Sequence, residues 1–205
     1  MSTSHDAFFK QAVTRIFTEK KSVIDIGGGL RIDPTRNNRF RPENAWILPL
    51  AKKMEYKILD PVDTFNPDIV GDIHALPFSD ASQDAVIAIA VLEHVENPIL
   101  ACQEMCRVLK PGGFCLVYVP FLYYYHAEVG YYKDYWRFTH DTLPLLFKDF
   151  SHSEFVSVRG AFETLFHLFP GGKSWPVRTL GRTLDRLLHK ERSSQTSGYY
   201  LFAVK

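Results

Sequence analysis

Short runs of apolar residues recur along the chain with little polar alternation, a pattern typical of strands buried on both faces of a sheet. The run at 84–91 is the most apolar, so it is predicted to lie at the centre of the sheet. Several of the runs end on an acidic residue or on glycine. The predicted strands are 23–26, 56–60, 68–72, 84–91, 114–119, 155–159 and 199–204.

Helical patterns fill most of the segments between these runs. Residues 7–18 carry apolar side chains at helical spacing, which predicts a leading helix with one buried face. Asn97 and Pro98 are typical of a helix start, and the run Lys110-Pro111-Gly112-Gly113 ends that helix. The predicted helices are 7–18, 43–53, 98–109 and a short one from Thr139 or Asp141 to Phe150. Strands alternating with helices predict a mostly parallel sheet with helices on both faces. In such sheets, ligands bind at the carboxyl ends of the strands.

The first predicted strand leads into a glycine-rich turn with the spacing Asp25-x-Gly27-x-Gly29. Glycine has no Cβ, so a ligand can approach the backbone closely there. The dinucleotide fingerprint requires a further glycine, and Ile32 stands where a small residue is needed. A nicotinamide-dependent dehydrogenase is therefore disfavoured, while a plain turn between strand and helix stays open.

Aromatic residues are concentrated in one segment after the fifth predicted strand. Residues 120–140, here called the aromatic loop, hold most of the chain's tyrosines together with Trp136, Phe138 and His126. The loop leaves the sheet at the edge where ligands bind, so it is predicted to form a binding surface. Packing over the edge of the core is the alternative.

Residues 160–198 form an insertion before the last strand and are here called the helical cap. Within it, 176–190 has leucines on one face and arginines and Lys190 on the other, which predicts a basic amphipathic helix. We expect that helix to pack on the domain surface rather than to bind a membrane. Gly172-Lys173-Ser174 resembles the end of a phosphate-binding loop, but His167 stands where its first glycine would be.

Composition narrows the possible functions. A net charge of +1 over 205 residues gives no general attraction to nucleic acid or to membranes. No apolar run reaches the length of a membrane span, and residues 1–10 lack the apolar core of a signal peptide. The three cysteines are too few for a disulfide framework. Cys102 and Cys106 are predicted to pack in the core rather than to form half of a metal site. A cytoplasmic location is the expectation.

A basic, irregular stretch follows the glycine turn. It is either a solvated loop or a contact for an anionic group of a ligand. Its arginines are Arg31, Arg36, Arg39 and Arg41.

Taken together, four motifs in this order resemble the class I S-adenosylmethionine-dependent methyltransferase family. The resemblance covers about residues 20–120 and rests on Val23-Ile24-Asp25-Ile26-Gly27-Gly28-Gly29, on 71–78, on Val91-Leu92-Glu93-His94-Val95 with Pro98, and on 107–113. It implies a three-layer, doubly wound α/β fold of Rossmann-like type, with a mostly parallel seven-stranded sheet whose last strand is antiparallel. We expect residues 1–205 to form one such domain that carries the aromatic loop and the helical cap.

The resemblance also implies that S-adenosylmethionine is the cofactor and that it binds at the glycine turn. Gly27 and Gly29 would let the backbone approach the methionine part. Asp25 would help to hold the ammonium group, through water or through the turn. The implied cofactor-binding residues are Asp25, Gly27, Gly28, Gly29, Asp60, Asp72, Ile73 and Ala90.

Two strand-end acids would bind the nucleoside part of the cofactor. Asp60 would accept hydrogen bonds from the ribose hydroxyls, and Asp63 stays open as a substitute because the chain from Gly29 onward is unusually long. Asp72 would accept from the adenine amino group while Ile73 packs on the ring. The backbone carbonyl of Ala90 would face the cofactor.

We therefore expect methyl transfer to a small-molecule or saccharide acceptor, catalysed mostly by positioning. A base would help to deprotonate the acceptor, and the candidates in order are His126, Asp134 and His94. Residues 132–139 resemble a stretch found in bacterial family members thought to act on saccharides.

The alternative is a non-catalytic protein that binds the cofactor or a partner and keeps the fold. Neither a metal site nor a nucleic-acid partner is predicted, because no metal-ligand cluster and no basic stripe beside the aromatics appears in the sequence. Whether the chain forms a homodimer is left open.

Overall fold

The computed structural model describes residues 4–36 and 40–205 and contains a seven-stranded sheet of order β3-β2-β1-β4-β5-β7-β6. All neighbouring pairs are parallel except those of β7, which runs antiparallel to β5 and β6. The predicted fold class is confirmed. The strands are β1 (Ser22–Ile26), β2 (Glu55–Asp60), β3 (Ile69–Val70), β4 (Gln83–Ile89), β5 (Leu109–Pro120), β6 (His152–Ser157) and β7 (Gly198–Val204).

Helices cover both faces of the sheet and give the molecule its three layers. One core layer packs α1 and α2 on the sheet, and the other packs α3 and α4 on the opposite face. Cys102 and Cys106 are free thiols buried in the second layer, as the sequence predicts, and Cys115 is a free thiol buried there as well. The helices are α1 (Ser4–Glu19), α2 (Leu48–Ala51), α3 (Pro98–Val108), α4 (Thr142–Leu146), α5 (Ala161–His167) and α6 (Trp175–Leu187). Within the described ranges, no helix combines the length and apolarity required to cross a membrane.

Several element boundaries differ from the prediction for local reasons. β3 ends at Val70 because Asp72 caps a 3₁₀ turn, accepting a hydrogen bond from the backbone N–H of His74. β4 ends at Ile89 because Ala90 adopts a left-handed conformation, with φ of +58°. α4 ends at Leu146 rather than at Phe150, and no side chain at Asp141 caps it.

The segment 110–113, which was predicted only to end the preceding helix, lies within a strand. β5 begins at Leu109, and its pairing with β4 shifts register between Gln83 and Ala85, which accommodates the glycines in a bulge. The helix before it ends at Val108, one residue before the predicted end.

The helical cap is a hairpin of α5 and α6. Asp185 of α6 accepts hydrogen bonds from the backbone N–H groups of Phe162 and Glu163 at the start of α5, at 2.9 and 3.0 Å. α6 thus packs on the protein as expected, but its buried residues are Gly181 and Asp185. The face predicted to be buried is largely exposed, including Leu180, Leu187 and Leu188.

Candidate functional site

A cavity of about 1590 Å³ opens along the carboxyl ends of the central strands. Single-ligand sites usually occupy roughly 300–1,000 Å³, so this cavity has room for two ligands side by side. The glycine turn and the β2 end line one part of it, and the aromatic loop lines another. The sequence-predicted site residues on its wall are Gly27, Gly28, Gly29, Asp60, Asp72, Ile73, Ala90, His94 and His126.

Asp25 lies beneath the glycine turn rather than on the cavity wall. Its carboxylate accepts hydrogen bonds from the backbone N–H groups of Gly29 and Leu30, at 3.1 and 3.2 Å, and from the hydroxyl of Tyr56 at 2.6 Å. Burial raises the pKa of Asp25 to about 7 despite these bonds. Of the two routes predicted for Asp25, the geometry supports the one through the turn, because the carboxylate fixes the shape of the turn.

Glycine is required in this turn for two different physical reasons. Gly27 and Gly28 adopt φ values of +71° and +57°, a region that side chains disfavour. Gly29 does not, but a Cβ there would lie 2.5 Å from the carbonyl oxygen of Ile89. Gly29 therefore lets the turn pack against the end of β4, in addition to lining the cavity.

The structure separates the two candidates for the ribose acid. Asp60 is largely buried at the end of β2, lines the cavity, and accepts a hydrogen bond from the backbone N–H of Val62 at 3.0 Å. Burial raises the pKa of Asp60 above its ordinary value. Asp63 begins the 3₁₀ turn Asp63–Phe65, is exposed, and does not line the cavity. The position of Asp60 suits a ligand hydroxyl better.

Asp72 and Ile73 stand at the neighbouring strand end. One oxygen of Asp72 accepts from the backbone N–H of His74 at 2.9 Å and lies 2.7 Å from its Nδ1. The Nε2 of His74 accepts from the backbone N–H of Asn97, so its proton is on Nδ1 and points to Asp72. These contacts orient the carboxylate beside the buried Ile73.

The aromatic loop folds back across the cavity and is tied to the strand ends by its backbone. The carbonyl of Glu93 accepts from the N–H groups of Tyr135 and Trp136, at 2.8 and 3.2 Å. Tyr123 stacks on Tyr124 with ring centroids 4.3 Å apart, and both rings line the cavity. The loop thus has the position that the sequence predicts.

Two of the three candidate bases meet in the cavity. The rings of His94 and His126 are 4.9 Å apart between centroids. The Nδ1 of His94 lies 2.6 Å from the carbonyl oxygen of Lys133, and burial lowers the pKa of His94. The carboxylate of Glu93 raises the pKa of His126.

Asp134, the second candidate in the predicted order, is bound by other groups in the structure. Its side chain is fully buried and absent from the cavity wall. Arg137 donates to both of its oxygens, at 2.6 and 2.7 Å, and the backbone N–H of His126 donates at 2.8 Å. Burial acts to raise the pKa of Asp134, but these hydrogen bonds outweigh it and bring the pKa to about 2. A carboxylate so fully bound is a poor base, so we reassign Asp134 to positioning His126.

Glu93 was missed as a site residue. Its side chain is 1% exposed, and within the described ranges neither carboxylate oxygen has a hydrogen-bond partner. One oxygen lies 3.7 Å from the Nε2 of His126 and 3.8 Å from that of His94. The signal was present in the sequence, because an acid directly after the central strand falls on the ligand edge.

The basic stretch after the glycine turn divides between the two predicted readings. Arg31 and Arg41 line the cavity, as a ligand contact requires. Arg36 instead forms an ion pair with Asp68 at 2.9 Å. Arg39 lies outside the described residues.

Comparison with known proteins agrees with this architecture. Residues 51–117 match the family model described as "Methyltransferase domain". An uncharacterized methyltransferase of Mycobacterium sp. (strain KMS) is 30% identical over 107 residues, which are 52% of this chain and 42% of the relative. The mouse tRNA (carboxymethyluridine(34)-5-O)-methyltransferase ALKBH8 is 44% identical over 54 residues, 25% of this chain and 8% of the relative.

Among solved structures, a SAM-dependent methyltransferase from Archaeoglobus fulgidus superposes with a TM-score of 0.59. The match covers 98% of this chain and 100% of the other at 14% identity, so it supports the fold alone. The chain spans less than half the length of the two curated relatives named above.

Proposed function

Because the chain belongs to the class I S-adenosylmethionine-dependent methyltransferase family, we propose that it transfers a methyl group from S-adenosylmethionine to a small-molecule or saccharide acceptor. One observation carries the proposal. A single cavity joins the glycine turn and the strand-end acids to an enclosed histidine cluster under the aromatic loop. When bound, the cofactor would supply a methyl group on a positively charged sulfur.

The donor part of the cavity suits the cofactor's polar groups. Asp60 would accept from the ribose hydroxyls, and the N–H groups and open backbone of Gly27–Gly29 would meet the methionine part. Asp72 would accept from the adenine amino group while Ile73 packs on the ring. These assignments extend the family resemblance to residues that the structure brings onto one wall.

The acceptor part is lined by aromatic side chains with polar tips. Tyr123, Tyr124 and Tyr132 line it, which favours an acceptor with a flat face and hydroxyl groups. A saccharide or a small aromatic compound has both. Holding the acceptor beside the donor would supply most of the rate enhancement.

His126 is our first candidate for the group that takes the acceptor's proton. It lines the cavity, and Asp134 and the carbonyl of Tyr124 hold its backbone and its Nδ1 side. His94 is the second candidate. Both rings are close enough to Glu93 for its charge to stabilise a protonated imidazole.

Nucleic acid is the competing acceptor class. The mouse relative is named as a tRNA methyltransferase, but the matched segment is a quarter of this chain. The cavity does not favour nucleic acid, because its wall carries acidic side chains as well as arginines. The acids include Asp60, Asp72, Glu93 and Glu96, and the arginines are Arg31, Arg41 and Arg159.

The experiment is a transfer assay with S-adenosylmethionine labelled in the methyl group. Purified protein is incubated with separate pools of saccharides, small aromatic and hydroxylated compounds, and RNA. We expect label in the saccharide or small-molecule pools, and label confined to RNA would contradict the acceptor class. Cofactor binding by calorimetry without transfer to any pool would favour the non-catalytic alternative.

A further inference from the structure

The carboxylate of Glu93 is buried without compensation. Its side chain is 1% exposed, and within residues 4–36 and 40–205 no group donates a hydrogen bond to either oxygen. Burying an unpaired carboxylate is strongly unfavourable, so such a group normally faces a cation or a proton donor. The backbone of Glu93 is fixed in place, because its carbonyl accepts from two N–H groups of the aromatic loop.

The imidazole rings of His94 and His126 both point their Nε2 atoms toward this carboxylate. The Nε2 atoms of His94 and His126 lie 3.8 and 3.7 Å from one oxygen of Glu93, beyond hydrogen-bond distance. The Nδ1 of His94 is 2.6 Å from the carbonyl oxygen of Lys133, and that of His126 is 3.1 Å from the carbonyl oxygen of Tyr124. Carbonyl oxygens only accept, so each neutral ring carries its proton on Nδ1.

The consequence is a cluster of acceptors that lacks a positive charge. Two Nε2 lone pairs and one carboxylate face each other, with ligand atoms all within 4.8 Å. Metal-binding histidines in proteins usually have this arrangement, in which one ring nitrogen donates to a carbonyl or carboxylate and the other binds the ion. Asp134 adds to it, because one of its oxygens lies 3.2 Å from the Nδ1 of His126.

We propose that Glu93, His94 and His126 bind a divalent transition-metal ion. Two imidazoles and one carboxylate suit Zn²⁺, Fe²⁺, Mn²⁺ or Co²⁺, whereas Mg²⁺ and Ca²⁺ prefer oxygen ligands alone. With metal–ligand bonds of about 2.1 Å, tetrahedral ligands stand about 3.4 Å apart. The two distances from Glu93 to the imidazoles, 3.7 and 3.8 Å, are close to that separation. All three residues line the cavity, so a further ligand can reach the ion.

The role of this ion rests on the proposed function, although its binding does not. An acceptor hydroxyl that joins the ion as a further ligand would release its proton more readily. With the ion bound, the Nε2 of His126 is a ligand, so the proton goes to another acceptor or to water. The competing state has no ion, and a protonated His126 then faces Glu93.

The test titrates Co²⁺ into chelator-treated, full-length protein without methyl donor or acceptor, followed by calorimetry and by the visible absorption of bound Co²⁺. We expect one ion per chain. Glu93→Gln, His94→Gln and His126→Gln should each weaken binding by about tenfold or more. Two matched controls should bind as the natural protein does. Glu96→Gln changes an exposed acid that accepts from the Tyr135 hydroxyl, and His140→Gln changes an exposed histidine.

Thermal unfolding shows whether the variants fold. Co²⁺ should raise the melting temperature of the natural protein and of both controls, but not that of Glu93→Gln. Absence of one-site binding, or equal binding by Glu93→Gln, would overturn the proposal and would favour a protonated His126. Normal ion binding without methyl transfer would contradict only the proposed function. Methyl transfer that is unaffected by chelation, in a protein that binds no ion, would contradict only the proposed metal site.

Discussion

At the scale of single residues, Asp60 is the residue on which the proposed cofactor site depends most. Asp60 ends a strand, is largely buried and lines the cavity. Asp63, the other candidate for binding the ribose, is exposed and does not line the cavity. Hydrogen bonds between a carboxylate and ligand hydroxyls contribute about 1.5–3 kcal/mol, and this contribution is lost when the carboxylate is removed.

Asp60→Ala should therefore weaken cofactor binding by about tenfold or more, equivalent to about 1.4 kcal/mol. Calorimetric titration with S-adenosylhomocysteine measures this directly. Asp63→Ala is the matched control and should bind as the natural protein does. A larger loss in Asp63→Ala than in Asp60→Ala would mean that the ribose is held beyond the end of β2.

His126 gives the corresponding prediction for the acceptor half. His126→Ala should reduce turnover by roughly 10²- to 10⁴-fold, whether the ring takes a proton or binds an ion there. Cofactor affinity should be unchanged, because the ring lies among the loop residues and not at the glycine turn. The same substitution at the exposed His140 is the control, and kinetic assays with an identified acceptor provide the readout.

Asp25 makes stability depend on pH in a direction opposite to that of most acids. Burial raises its folded-state pKa from 3.8 to about 7, so between those values the folded chain keeps a proton that the unfolded chain has released. The contribution of Asp25 to the free energy of unfolding is greatest at the acidic end of that window. It falls as the pH rises, by at most about 1.4 kcal/mol per pH unit.

The test is urea unfolding of the natural protein and of Asp25→Asn at several pH values from 4 to 8. The stability advantage of the natural protein over the variant should shrink across this window, because the amide does not titrate. Asp63→Asn, at an exposed acid, should run parallel to the natural protein. A difference independent of pH would show that Asp25 is ionised throughout.

At the scale of elements, the strands and the order of the main helices could be predicted, because buried parallel strands are continuous apolar runs. The central strand, the glycine turn after β1 and the start of α3 at Asn97 and Pro98 are such cases. Strand ends were less predictable. The strand ends where Ala90 adopts a positive φ. Alanine rarely adopts this conformation, so the sequence does not indicate it.

Tertiary contacts change the roles that we propose for two residues of the candidate site. Asp134 resembles a base in the sequence, but Arg137 and the N–H of His126 occupy its oxygens. Glu93 is the reverse case, because its lack of partners is visible only after the aromatic loop has folded over it. The contact between His94 and His126, which are 32 positions apart in the sequence, is likewise a property of the fold.

The cap hairpin gives a prediction at this scale. A Cβ at Gly181 would lie 2.8 Å from the Cα of Glu163, so Gly181→Val should force α5 and α6 apart. We expect a loss of about 1–3 kcal/mol in the free energy of unfolding, measured with denaturant. Leu180→Val changes the adjacent exposed position and should have little effect. Equal stability of both variants would contradict the packing described for the cap.

At the scale of the whole molecule, the parallel sheet places most of the candidate site residues at one edge. β1, β2, β4 and β5 point their carboxyl ends into the same cavity, and the aromatic loop and the end of β6 close around it. The cavity exceeds the size of one ligand, which is the physical basis for expecting donor and acceptor together. The single domain, the cytoplasmic location and a homodimer stay predictions.

The most direct test of the central claim is a crystal structure of the protein with S-adenosylhomocysteine. We expect the ribose hydroxyls on Asp60, the adenine beside Asp72 and Ile73, and the amino-acid part against Gly27–Gly29. The sulfur should then face the cluster of Glu93, His94 and His126 across the remaining space of the cavity. A ligand bound away from the glycine turn, or one whose sulfur points away from that cluster, would contradict the account.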